Sequence, residues 1–316
     1  MSRRVLKIGT RGSKLAMEQA RRVAEKLPGP SQVTVVRTSG DRFKDIPLAE
    51  QSGIGFFTKE IENELLAKNI DLAVHSLKDL PTGLAPGLRL AAILERDEAS
   101  DLLLIRPDAQ HRENELPLKN GSRVGASAMR RKALLKVYRE DLIAAPIRGN
   151  VPTRVDKARH GDYDAVILSR AGLARLAYKV DPLLAFDLNP RRWICAPGQG
   201  VIAVEARAED EQVLQRLAGL DHMETRACVT AERALLVTFG GGCHAPFGAW
   251  ARRQDDDYQV MVAAPGNQAD YQVEHFRAGS LDQAQKQAEQ WIRAGCPAIS
   301  NEKSQEWICR PARPWC

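Results

Sequence analysis

Val5-Leu-Lys-Ile8, the turn Gly9-Thr-Arg-Gly-Ser13, the stretch from there to Leu27 and Val33-Thr-Val-Val36 together decide how this chain is built. Residues 5–8 read as a short strand. Ser13 offers a side-chain oxygen to cap a helix whose Ala16, Ala20, Val23 and Leu27 fall on one face, and residues 33–36 read as the next strand. That order is a β-α-β unit. The rhythm continues: Thr58 precedes a helix with Ile61 and Leu65 one turn apart, and Asp71-Leu-Ala-Val-His75 reads as a buried-type strand ending at the polar Ser76-Leu-Lys-Asp79. Strands at 101–105, 123–125, 142–145 and 165–168 alternate with helices at about 128–138 and 151–160. Such alternation predicts a mostly parallel sheet with helices on both faces.

Sheets of this kind place ligands beyond the carboxyl ends of their strands, so the polar residues that follow each strand are the site candidates. Gly9-Thr-Arg-Gly-Ser13 and residues 76–79 and 126–131 occupy that position, as do Arg148-Gly-Asn150 and Ser169-Arg-Ala-Gly172. Loops of one kind are thereby expected to converge on a single cleft. After Gly200 the character changes. Residues 201–206 read as another strand and 221–239 as a long helix, closed by Gly240-Gly-Gly-Cys-His-Ala-Pro246. Short strands at 247–251, 258–264 and 271–277, joined by turns such as Asp255-Asp-Asp257 and Pro265-Gly-Asn267, precede a helix at 281–294. This end predicts a small separate α+β domain.

A length of 316 residues implies two or three domains, and 44% apolar with 27% charged residues is the composition of a packed globular protein. The 46 Lys+Arg exceed the 40 Asp+Glu by six, which admits nucleic acid, an anionic surface or an acidic small substrate. Aromatic residues are only 5% and are not interleaved with basic ones, so a base-stacking platform is missing, as are helix-turn-helix, zinc-finger and RNP signatures. The N-terminus lacks an apolar leader, and no apolar run approaches the roughly 18–20 residues of a membrane span, so a cytoplasmic protein is expected. The six cysteines show no zinc spacing, and reduced thiols with no metal site are the expectation.

Arg11, Lys78, Arg130, Arg131, Arg148, Arg154 and Arg175 each follow an expected strand or lie in the helix after it. Guanidinium forks bind carboxylates and phosphates bidentately, so the pattern fits a polyanionic ligand. Any one of these residues alone reads as a solvated surface charge. The helix beginning near Ser127 adds unpaired backbone N–H groups to Arg130 and Arg131. Asp79 is a lone acid in a loop that otherwise gathers positive charge. Its carboxylate suits stabilisation of a cation formed from a substrate, and equally an ion pair with Lys78 or a helix cap. Cys243 is the distinctive thiol, because the glycines before it give access, whereas Cys195, Cys228 and Cys296 sit among apolar or ordinary neighbours and read as inert. The helix end before Cys243 would raise its pKa, and sequence offers His244 as the one activating neighbour. The remaining histidines form no ligand pairs and read as structural.

Taken together, these loops closely resemble porphobilinogen deaminase, the hydroxymethylbilane synthase family. The matching stretches include Ile8-Gly-Thr-Arg-Gly-Ser13, Gly55-Phe-Phe-Thr-Lys-Glu60, Ala73-Val-His-Ser-Leu-Lys-Asp-Leu-Pro81, Ile147-Arg-Gly-Asn-Val-Pro-Thr-Arg154, Ala171-Gly-Leu-Ala-Arg-Leu176, Gly198-Gln-Gly200, Thr230-Ala-Glu-Arg233 and Gly240-Gly-Gly-Cys243. The resemblance implies an α/β fold of two doubly wound, periplasmic-binding-protein-like domains plus a small α+β C-terminal domain. Their expected spans are 1–98 with 199–219, 99–198, and 220–316. It implies a transferase that joins four porphobilinogens head to tail into hydroxymethylbilane with release of ammonia, in haem biosynthesis. The product would grow on a dipyrromethane cofactor held by a thioether at Cys243. Asp79 is implied as the catalytic residue. Ser13, Lys78, Ser127, Arg130 and Arg131 are implied to bind the cofactor, and Arg11, Gln19, Arg148, Arg154 and Arg175 the substrate carboxylates. A monomer with no nucleic-acid or membrane partner is the family expectation. The alternative is a non-catalytic homologue that binds oligopyrroles with impaired turnover.

The chain departs from the family pattern at several positions. Glu50 and Ile54 stand where many members carry lysine, and Ser39 where many carry arginine. The usual Gly-Thr-Ser-Ser-Leu-Arg-Arg reads Gly125-Ala-Ser-Ala-Met-Arg-Arg131, which removes two hydroxyls expected to touch cofactor carboxylates. Slower or altered turnover is the expected consequence. The tail from Ile308 to Cys316 has no counterpart in the pattern.

Overall fold

The computed structural model describes residues 4–38, 58–242, 245–267, 270–297 and 307–313. The elements begin with β1 (Leu6–Thr10), α1 (Lys14–Lys26), β2 (Ser31–Val35), α2 (Lys59–Leu66), β3 (Leu72–Ser76) and β4 (Leu88–Ile93). Next come β5 (Asp101–Ile105), β6 (Arg123–Gly125), α3 (Met129–Tyr138), β7 (Ile143–Ala145), α4 (Val151–Arg159), β8 (Ala165–Ser169), α5 (Arg170–Arg175) and β9 (Leu184–Leu188). Then follow β10 (Ile202–Arg207), α6 (Glu211–Leu217), α7 (Met223–Thr238), β11 (Gly248–Gln254), β12 (Asp257–Pro265), β13 (Tyr271–Ala278), α8 (Leu281–Arg293) and β14 (Cys309–Pro311). The chain divides into two compact units, Met1–Asp97 with Gly200–Arg226, and Glu98–Gln199 with Ala227–Cys316. The second unit contains both the central sheet and the small C-terminal one.

In the first unit the strand order is β2-β1-β3-β10-β4. Ser13 caps α1 by accepting from the Ala16 N–H at 3.2 Å, and Ala20, Val23 and Leu27 then pack on Leu6, Ile8, Leu72 and Val74. The opposite sheet face takes Ile61 and Leu65 of α2 against Ala73. In the second unit the order is β14-β9-β5-β8-β6-β7. The apolar run of β5 shows why both faces must be covered: Leu103 and Ile105 pack with Leu134 and Leu135 of α3, while Leu102 and Leu104 pack with Val155 and Ala158 of α4. The antiparallel sheet β11-β12-β13 packs against α8 through Val260, Val262, Ala284 and Ala288.

The two larger sheets are mixed rather than mostly parallel. β1 runs parallel to β2 and β3, but β10 runs antiparallel to both of its neighbours, β3 and β4. β6 runs parallel to β7 and β8, but β5 is antiparallel to β8 and β9. The cause lies in where these strands enter. The chain reaches β10 just after Val201, whose carbonyl accepts from Leu77 at the carboxyl end of β3, and β5 starts with Asp101 opposite Ser169 at the carboxyl end of β8. A strand that begins where its neighbour ends must run back along it; a parallel neighbour needs a helical crossover first. The C-terminal tail also has a place in the fold. β14 pairs with β9 and forms the edge of that sheet, and Ile308 is buried in the core beside Leu188 and Trp193.

Candidate active site

In the first unit, β1 and β3 lie side by side with Ile8 level with Leu72, which brings the turn after β1 and the turn after β3 to one sheet edge. Gly9 near the end of β1 sits tight against Ile70, whose Cδ1 would lie 2.2 Å from a Cβ placed there and would have to move. The short 3₁₀ turn Leu77–Asp79 is anchored by buried Leu77 and Leu80 and closed by the Leu80 N–H donating to the Leu77 carbonyl at 3.1 Å. Between those anchors Asp79 is exposed and Lys78 half-buried. Arg11 is half-buried at the neighbouring turn. Two residues expected to meet ligands are engaged internally: the Ser13 hydroxyl caps α1, and the amide nitrogen of buried Gln19 donates to Ser76 Oγ at 2.8 Å.

In the second unit, the adjacent parallel strands β6, β7 and β8 collect Ser127, Arg148 and α5 at their carboxyl edge. Ser127 joins two of these loops, since its hydroxyl accepts from the Ile147 N–H at 2.9 Å and donates to the Ile147 carbonyl. This fixes the start of the Arg148-Gly-Asn turn. Asn150 then caps α4 by accepting from the Thr153 N–H at 3.0 Å, and Arg154 Nε returns to the Gly149 carbonyl at 2.8 Å. Arg148 is half-buried, and its buried Nη2 has no hydrogen-bond partner among the described residues. Arg175 is buried at the end of α5.

Arg130 and Arg131 do not stand open at the start of α3. They are 3% and 6% exposed and turn onto fully buried Asp101. Asp101 accepts from Arg130 Nη1 at 3.0 Å, from Arg131 Nε at 2.9 Å and Nη2 at 2.6 Å, from Trp193 Nε1 at 3.1 Å and from Gln199 Nε2 at 2.8 Å. Burial works to raise the Asp101 pKa, but the two guanidiniums outweigh it and hold the carboxyl well below the usual carboxylate range. Two guanidiniums thus share one carboxylate, leaving this cluster cationic by one charge. Ala126, one of the two positions where a family hydroxyl is missing, is fully buried in the apolar core. A hydroxyl there would enter the core and not a ligand. Ala128 is the N-cap of α3 and is exposed, so the hydroxyl missing at that position is a helix cap.

Cys243 and His244, and likewise Ser39, Glu50, Ile54 and the Gly55-Phe-Phe stretch, lie outside the described residues. Cys195, Cys228 and Cys296 are buried thiols outside any disulfide, and burial pushes the Cys296 thiol up to about 11. Among the described residues no group of three His, Cys, Asp or Glu side chains is placed to hold a metal ion, and no helix is long and apolar enough to cross a membrane.

Sequence reasoning passed over Asp101, Trp193 and Gln199, which organise the arginine pair. The available signal was a charge at the head of the otherwise apolar Asp101-Leu-Leu-Leu-Ile105. It also passed over Glu232, whose carboxylate accepts from the Gly198 N–H at 2.7 Å and the Ala251 N–H at 2.8 Å.

Fold and loops together define an α/β protein with cationic strand-end loops, the arrangement that suits an anionic ligand. Residues 6–215 match the family model described as porphobilinogen deaminase, dipyromethane cofactor binding domain, and residues 226–290 match porphobilinogen deaminase, C-terminal domain. The porphobilinogen deaminase of Syntrophobacter fumaroxidans is 40% identical over 90% of this chain and 92% of its own length. That of Roseiflexus sp. is 44% identical over 81% and 84%. Among solved structures, a Salmonella typhimurium periplasmic binding protein of high arginine specificity is 12% identical, with a TM-score of 0.37, over 73% of this chain and 94% of its own. The chain belongs to the porphobilinogen deaminase family, the hydroxymethylbilane synthases of tetrapyrrole biosynthesis. It is a transferase, and its matched N-terminal region is the family's dipyrromethane cofactor binding domain.

Proposed function

We propose that this chain condenses four porphobilinogens head to tail into hydroxymethylbilane, with Asp79 as its catalytic residue and Cys243 as the point of cofactor attachment. The observation that carries the reading is the placement of Asp79: an exposed carboxylate pinned by buried Leu77 and Leu80, with the cations Arg11 and Lys78 at the same sheet edge. Loss of ammonia from porphobilinogen leaves an azafulvenium cation. A fixed carboxylate stabilises that charge as it develops, and the same oxygen accepts the proton released when the new ring is joined.

The donor set of the second unit fits a polycarboxylate cofactor. Among the described residues the buried Arg148 Nη2 lacks an acceptor, the Arg130–Arg131–Asp101 cluster retains one positive charge, and the start of α3 has no side-chain cap. When bound through a Cys243 thioether, dipyrromethane supplies the nucleophilic pyrrole carbon. Arg148, Arg154, Arg175 and Arg11 are the residues proposed to meet acetate and propionate groups, with Lys78 beside the catalytic turn. Arg130 and Arg131 contribute field more than direct contact, and Ser13, Gln19 and Ser127 hold loops in place. The same reading has the protein act as a cytoplasmic monomer of three domains. The non-catalytic alternative is not favoured, because Lys78, Asp79 and the cationic loops are all retained.

The intact mass of the denatured protein tests the reading. Protein made in a host that synthesises porphobilinogen is expected to carry two extra pyrrole units, absent from Cys243→Ser. An unmodified mass in the unsubstituted chain would overturn it.

A further inference from the structure

β3 ends in His75 and Ser76, and the turn with Lys78 and Asp79 begins at the next residue. Consecutive strand residues leave on opposite faces. Ser76 is on the α1 side with Leu72 and Val74, where buried Gln19 holds its hydroxyl at 2.8 Å. His75 is on the α2 side with Ala73. There its Nε2 lies 3.0 Å from a carboxylate oxygen of Glu205 on β10, two residues along from the Ala203–His75 pairing.

This pair is enclosed: His75 is 6% exposed and Glu205 0%. Neither Glu205 oxygen nor His75 Nε2 has a hydrogen bond of good direction, so the contact between the two is the only compensation the carboxylate receives among the described residues. A buried carboxylate without donors persists only beside a cation or with a proton. Arg207, on the same sheet face, is taken up by the Leu65 and Ile70 carbonyls and by Asp210, with Asp71 at 3.6 Å. Glu62, from the first turn of α2, meets the same environment: burial first, then the charge of Glu205, raises its carboxyl above the ordinary value. The imidazole therefore serves as the counter-group of Glu205. The 3.0 Å contact between them ties β3 to β10 next to the turn.

We propose that the His75–Glu205 pair on one face of β3 and the Gln19–Ser76 bond on the other act as a two-sided clamp that positions Asp79. His75, Glu205 and Gln19 are then positioning residues for turnover, not ligand contacts. The proposal rests on the reading of Asp79 as the catalytic residue. Its physical basis is that a turn of three residues has little internal stiffness, so the orientation of the exposed Asp79 carboxylate is inherited from the strand end. A displacement of about 1 Å costs up to about a hundredfold in rate.

The test uses full-length protein with cofactor loading checked by intact mass, comparing Glu205→Gln, Gln19→Leu and Ser76→Ala with Asp79→Ala. The expected result is a fall in kcat of about ten- to a hundredfold for Glu205→Gln and Gln19→Leu, with KM little changed and the loaded mass retained. In an Asp79→Ala background the same substitutions are expected to reduce the residual rate no further, the coupling that a purely structural role would not show. Should Glu205→Gln not fold, Gln19→Leu and Ser76→Ala carry the same measurement from the other face. Normal kcat in the clamp variants beside an inactive Asp79→Ala, or additive losses in the double variants, would overturn the clamp alone. Near-normal turnover in Asp79→Ala overturns the reading of Asp79 itself.

Discussion

At the carboxyl edge of β3 the charged neighbours Lys78 and Asp79 stand on an outward turn, whereas at the carboxyl edge of β6 the neighbours Arg130 and Arg131 turn inward onto Asp101. Both pairs follow a strand and both precede or form a helical turn. The difference is set by what the core supplies nearby. Beneath the β3 turn lie Leu77 and Leu80, which leave Asp79 no reason to fold back. Beneath the start of α3 lies a buried carboxylate at the head of β5, and two guanidiniums that reach it escape the cost of leaving it unpaired. A strand-end charge is drawn inward where the fold offers it a buried counter-ion.

The largest effect that would break this comparison is expected at Asp101. Asp101→Ala leaves two buried guanidiniums uncompensated and should lower stability by about 3–5 kcal/mol, read as a drop in thermal midpoint. Because the folded-state carboxyl lies below its unfolded value, its contribution is present above about pH 4 and fades as pH falls below that point. The midpoint of the unsubstituted protein should therefore fall more steeply in acid than that of the variant. A variant with an unchanged midpoint at neutral pH would show that the arginines are not held as described.

The outward pair should respond in the opposite sense. Asp79→Ala is expected to cost about 10²- to 10³-fold in bilane formation, with the cofactor still attached and the thermal midpoint nearly unchanged. Loss of stability without loss of rate would reverse the contrast between the two edges. The smallest effect concerns the exposed N-cap of α3. Ala128→Ser should add about 1 kcal/mol of stability by capping the helix, with little effect on turnover. A marked rise in turnover at unchanged stability would instead make that hydroxyl a ligand contact.

Much of the fold was legible because burial leaves periodic traces. Ser13 before Ala16, Ala20 and Val23 announced α1, and the apolar run Asp71-Leu-Ala-Val-His75 announced a buried strand. The edge strands β4 and β14 and the neighbouring β9 went unread, since partial exposure dilutes the apolar pattern, and the antiparallel insertion of β10 and β5 depends on where a distant segment re-enters its sheet. At the candidate site, the loops were legible from glycine, serine and arginine placement. Which side chains remained outward was not, because Asp101 is 29 residues from Arg130 in the chain and Glu205 is 130 from His75.

By itself the sequence determined that this chain is α/β, that its basic residues follow strands, and that its motifs match a deaminase family. These are local matters of periodicity, capping and residue order. The tertiary structure alone decided which charges answer to the protein and which stand ready for a ligand. Counter-ions such as Asp101 and Glu205 are brought to their partners by strand pairing, and in a buried setting the presence or absence of one partner determines what a charged side chain can do.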